Sequence, residues 1–202
     1  VDGAMTKRLL RAGTLGLLCS FTPVAAQAHM GFSRFDVVEG VLNPLLSMST
    51  LLLPVVTGLW VAFCRRCFGA RLAIFALAVL VGAGAQTQGV VMPYADSMVF
   101  VALIATGLAT IFAWQAPFRL AAPWLALSGW SLGQLNMIKE TGTLKDPLLF
   151  AFGIAVGSGL LAVYFAGVIR ARRFSWLPIA GRVLASWITA AGLMVWVLQV
   201  YQ

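Results

Sequence analysis

Apolar residues fill this chain in long runs separated by short polar stretches. The runs cover Val37–Cys64, Leu72–Ala85, Ser97–Trp114, Phe118–Ile138, Pro147–Ile169 and Trp176–Tyr201. Each approaches the length that an α-helix needs to cross a hydrocarbon core, about 20 residues. None shows the alternation of a membrane strand. The pattern predicts an all-α fold, a polytopic membrane bundle of six transmembrane helices. The first run is expected to break near Asn43-Pro44 and again at Pro54. A proline has no N–H for the backbone ladder. Hydrocarbon tolerates the freed carbonyl only where protein or a water-filled cavity satisfies it.

An earlier apolar run, Ala12–Val24, is too short to span. Lys7, Arg8 and Arg11 precede it, and Ala26-Gln27-Ala28 follows with the small-x-small cleavage pattern. This reads as a cleavable secretory signal. The expected organisation is a signal peptide over residues 1–28, with residues 1–4 an upstream remnant, and one six-helix domain over residues 29–202. The alternative is an uncleaved signal anchor.

Composition sharpens this picture. The chain is 61% hydrophobic and only 10% charged. A soluble domain carries about 25% charged residues, so a soluble core is excluded. The net charge of +8 does not point to nucleic acid. Its basic residues lie in short clusters between apolar runs. With the mature N-terminus outside, the inside loops hold Arg65, Arg66, Arg71, Arg119, Arg170, Arg172 and Arg173 and no acid. The outside segments hold Asp36, Glu39, Asp96, Glu140 and Asp146 against Arg34, Lys139 and Lys145. This is a positive-inside distribution. It predicts a bacterial inner-membrane protein with both mature termini periplasmic. Arg182, early in the last run, is expected to snorkel to the inner face. Of three cysteines, Cys64 and Cys67 form Cys-Arg-Arg-Cys. Without a second pair or a nearby His they read as reduced thiols and not as half of a zinc site.

Polar residues inside lipid normally face a partner or a cavity. Asn43, Ser47, Ser49 and Thr50 in the first run share a depth with Gln134 and Asn136 at the end of the fourth. They form a candidate outward-facing polar pocket; the alternative is interhelical hydrogen bonding. Cleavage after Ala28 would make His29, the only His, the mature N-terminus. Its imidazole and free α-amino group can chelate a transition metal such as nickel or copper. Asp36 and Glu39 are the candidate further ligands, with Met30 adjacent. The alternative is a solvated first residue. No serine has a His base nearby, carboxylates do not pair within a span, and no phosphate loop occurs, so no enzyme is expected. Gly153-x-x-x-Gly157 marks close helix packing.

The first run also resembles a known family. Gly40, Pro44, Gly58, Leu59 and Trp60 stand as in a Gly-Phe-x-His-Pro-x-x-Gly-x-Asp-His pattern followed by an apolar run and Gly-Leu-Trp. That pattern belongs to the HupE/UreJ family, small membrane proteins taken to be nickel or cobalt permeases tied to hydrogenase and urease maturation. Against it, Asn43 replaces the first His, Ser47 the Gly, Ser49 the Asp and Thr50 the second His. In the fourth run, Leu132-Gly133-Gln134-Leu135-Asn136 is similar to the family's His-Gly-x-x-His, keeping Gly133 and losing both His. The resemblance therefore implies two readings. One is an accessory subunit, bound to a larger membrane complex or to copies of itself, that has lost the family metal site. The other is a permease or delivery protein for nickel, cobalt or copper using His29.

Overall fold

A computed structural model describes residues 36–64, 67–138, 146–171 and 175–200. The expected signal segment 1–28 and His29 lie outside the described residues. The described residues form seven α-helices: α1 Asp36–Leu46, α2 Met48–Phe63, α3 Phe68–Thr87, α4 Ala95–Ile111, α5 Phe118–Ile138, α6 Pro147–Arg170 and α7 Leu177–Val200. The first apolar run is split into α1 and α2, whose axes differ by 83°. The others are single helices, each close to the run that encodes it.

By length and composition α3, α6 and α7 can each cross a membrane, and the bent pair α1–α2 adds a fourth span if it counts as one. The six equal spans of the sequence reading are not all matched. Helix α4 has only 17 residues. Helix α5 has 21, but Ser128, Ser131, Gln134 and Asn136 dilute its apolar character.

The fold buries polar side chains and exposes large apolar ones. Thr57, Thr106, Thr110, Ser128, Ser131, Gln134 and Ser158 are buried, whereas Leu77, Val81, Leu160, Trp187 and Met194 are exposed. Water would reverse that distribution, because exposed apolar area costs roughly 25 cal/mol per Å². Hydrocarbon does not penalise it. The chain is a membrane protein.

Without a hydrophobic drive between helices, small residues at the contact allow dispersion to hold them together. Helices α3 and α5 run in the same direction with their backbones nearly touching. A Cβ on Gly129 would meet Ala78 Cβ at 2.8 Å, and one on Gly133 would meet Ala83 N at 2.6 Å. Gly82 returns the fit against the Trp130 backbone. Helices α1 and α6 repeat the device, with Gly40 against Gly153 and Gly157 against Val41. The Gly-x-x-x-Gly motif thus packs within the chain. Helices α4 and α7 run in opposite directions, with Gly107 near Thr189 and Gly192 near Leu103. Between these pairs lies a core of Leu53, Val56, Trp60, Phe75, Val79, Leu103, Leu125, Phe150 and Ile154.

Charge separates to the two ends. Among the described residues, Asp36, Glu39, Asp96 and Asp146 sit where α1, α4 and α6 begin. Arg71, Arg119, Arg170 and Arg182 occupy the other end. There the arginines tie elements together through carbonyls. Arg170 Nη1 donates to the Cys64 carbonyl at 3.3 Å, Arg182 Nε to Ile111 O at 2.6 Å, and Arg71 Nη2 to Ala116 O at 2.7 Å. Cys64 and Ile111 close α2 and α4, and a cation at a helix C-terminus complements the macrodipole. Arg182 is exposed, at the basic end where a snorkelling side chain belongs.

Candidate functional site

Helix α1 carries Pro44, which cannot donate to the Gly40 carbonyl one turn back. The chain continues to Leu46 and breaks at Ser47, which is extended at φ −120° and ψ 128°. The expected break at Asn43-Pro44 therefore falls three residues later. The expected second break at Pro54 does not occur, since α2 passes through it. Pro54 and its neighbours Leu53, Val55 and Val56 are buried, so surrounding protein supports the backbone where the proline withholds its N–H.

The Ser47 carbonyl starts α2. It accepts from Thr50 N at 3.2 Å, from Leu51 N at 2.9 Å and from Thr50 Oγ1 at 3.0 Å. Ser47 Oγ and Ser49 Oγ lie 3.1 Å apart. Ser47, Ser49 and Thr50 thus form one local turn at the start of α2, with no side-chain cap on its N–H groups. Asn43 is buried on the face of α1, and no side-chain hydrogen bond holds it among the described residues. Asp36 and Glu39 stand in the first turn of α1. Asp36 Oδ2 accepts from the backbone N–H of Asp146, joining the starts of α1 and α6.

The α5 residues are engaged elsewhere. Gln134 is fully buried. Its Nε2 donates to Gly82 O and to Val90 O, both at 2.9 Å, and its Oε1 accepts from Met92 N at 3.0 Å. One amide therefore satisfies an α3 carbonyl and pins the connection between α3 and α4. Gly133 beside it permits the close approach that brings Gln134 within reach. Asn136 Nδ2 donates back to Leu132 O at 2.9 Å, while its buried Oδ1 has no partner. No bond of Gln134 or Asn136 reaches α1 or α2. The structure thus groups Ser47, Ser49 and Thr50 together and ties Gln134 to a different neighbour.

Nickel or cobalt as a substrate requires imidazole, thiolate or carboxylate donors. Among the described residues, no three His, Cys, Asp or Glu side chains lie together to hold such an ion. Cys64, buried, and Cys67, exposed, are free.

Sequence reasoning placed Arg71 in a loop. It lies in the first turn of α3 and is only 3% exposed. Its Nη1 donates to Cys64 Sγ at 3.2 Å, and its Nε is buried without a partner. The signal for this was indirect: an arginine opening an apolar run just after Cys-Arg-Arg-Cys. Its main acceptor, Ala116 O, is distant in sequence and invisible to local patterning.

A family model described as HupE / UreJ protein matches residues 17–195. No curated protein and no solved structure matches the chain.

Proposed function

The chain belongs to the HupE/UreJ family, and on that basis we propose that it is a non-catalytic accessory subunit of a larger membrane metalloenzyme complex. The observation that carries this reading is Asn136. It stands where the family pattern has its second His, and its amide Nδ2 is turned back onto Leu132 O, at the first His position, at 2.9 Å. Ser49 and Thr50, which replace the pattern's Asp and second His, both turn to Ser47, Ser49 through the two hydroxyls and Thr50 by donating to the Ser47 carbonyl. Neutral amides and hydroxyls so engaged have little capacity to strip water from a divalent ion.

In this reading the protein has six spans, with α1 and α2 forming the first. It sits in the bacterial inner membrane with the basic end cytoplasmic and both mature termini periplasmic. Separation of arginines from carboxylates favours that orientation. The helix directions support the count of six. Alternate spans α3 and α5 run the same way, whereas α4 and α7, three spans apart, run oppositely.

Extraction in mild detergent followed by mass determination tests the assignment. The protein is expected to co-purify stoichiometrically with larger membrane subunits. Recovery solely as free chain would contradict it.

A second reading, a permease for nickel, cobalt or copper, has one observation in its favour. The first span is discontinuous, bent by 83° beside the buried Asn43. Discontinuous helices are where transporters place substrate. In that reading His29, with Asp36 and Glu39, captures the ion at the acidic end.

A further inference from the structure

A cavity of about 500 Å³ opens at the basic end, lined by Cys64, Cys67, Arg71, Gln115, Phe118 and Arg119 among others. No carboxylate lines it, and every described acid lies at the opposite end of the bundle. Two long helices, α3 and α5, begin at this cavity and run in the same direction. Their N-terminal partial positive charges therefore add where Phe68 and Phe118 open them. Arg71 is 97% buried by its 3% exposure, forms part of the cavity wall, and leaves Nε without a partner. A guanidinium removed from water and not paired with an acid is costly unless an anion completes it. Arg119, exposed on the same wall, supplies a second cation.

Beside it, sharing Ala116, lies an apolar cavity of about 320 Å³ walled by Trp60, Trp114, Leu120 and Trp124. Trp60 Nε1 donates to Trp114 O at 2.9 Å and Trp124 Nε1 to Thr106 Oγ1 at 3.0 Å, so two of the three indoles have their polar atom occupied. What remains towards the cavity is hydrocarbon. An anion hole adjoining an apolar slot matches an amphiphile with an acidic head.

We propose that this end of the protein is a binding site for an anionic phospholipid. The headgroup phosphate lies between Arg71, Arg119 and the starts of α3 and α5, and an acyl chain lies along Trp60, Trp114 and Trp124. The phosphate oxygens accept from the Arg119 guanidinium, a charge-assisted arrangement, beside the positive charge that Arg71 places in the cavity wall.

The full-length protein in uncharged detergent provides the test. Phosphatidylglycerol is titrated against phosphatidylcholine of the same chains, sodium phosphate, and sodium chloride at matched ionic strength, reading thermal unfolding. Phosphatidylglycerol is expected to raise Tm saturably by about 4 °C or more, with the other three giving little. Arg119→Gln, at an exposed position, should fold and shift the half-saturating lipid concentration upward about fivefold or more. Alkylation of Cys67, followed peptide by peptide, should slow when the lipid is bound, because Cys67 lines the same cavity. Equal effects of phosphatidylglycerol and phosphatidylcholine would overturn the proposal. So would full reproduction of the shift by free phosphate, an unchanged titration in Arg119→Gln, or unprotected Cys67.

Discussion

The break at Ser47 and the row Ser128, Ser131, Gln134 and Asn136 on α5 hold the same kinds of uncharged polar side chain, and the fold uses them differently. At the break the side-chain bonds of Ser49 and Thr50 are local. Thr50 returns to the Ser47 carbonyl and Ser47 meets Ser49, while Leu45, Leu46 and Met48 around them are exposed. On α5, Ser128, Ser131 and Asn136 also return to their own helix backbone, but Gln134 crosses to another helix and to the connection after it. The difference arises from glycine. Gly82, Gly129 and Gly133 bring α3 and α5 to backbone contact, so an amide on one helix reaches carbonyls of the other. At Ser47, among the described residues, Ser49 and Thr50 bond to their own neighbours. Gln134 therefore locks tertiary structure in one region, whereas Thr50 stays with the helix interruption in the other.

The contrast can be broken most severely at Gly133. Gly133→Leu would drive a side chain into the Val79–Ala83 backbone. It should cost at least about 3 kcal/mol, seen as loss of folded monomer on size exclusion. Gln134→Leu should cost about 1–3 kcal/mol in denaturant unfolding, because it removes a buried bond to the Gly82 carbonyl and part-buried bonds to the Val90 carbonyl and the Met92 N–H. Hydrogen exchange at Met92 should accelerate with it. Thr50→Val keeps the shape and removes one local bond, so about 1 kcal/mol is expected by the same measurement. Ser49→Ala should fall below about 0.5 kcal/mol. If Ser49→Ala destabilised as much as Gln134→Leu, the two regions would not differ as described.

The apolar runs made the helices legible, with bounds close to α3, α4, α5, α6 and α7. Periodicity could not place the interruption at Ser47, because a proline's effect depends on what surrounds the carbonyl it frees. Pro54 is enclosed by buried neighbours and leaves α2 intact, whereas the chain opens three residues after Pro44. The polar residues of the candidate site were visible as a shared depth. Their grouping was not, since depth along a helix says nothing about which neighbour it faces. Arg71 was legible as a positive charge at the basic end, yet its burial depends on Ala116 O across the fold. Gly133 carried more information than the missing histidines beside it, because it predicts a close approach whatever the neighbouring side chain does.

The most direct test of the central claim, that the residues at the family's ligand positions serve structure and not transport, is cellular uptake of nickel and cobalt. Uptake is measured with the gene present, deleted, and restored as wild type or as His29→Ala. The account predicts that uptake is the same in all four strains. Uptake that falls on deletion, and returns with the wild type but not with His29→Ala, would contradict it.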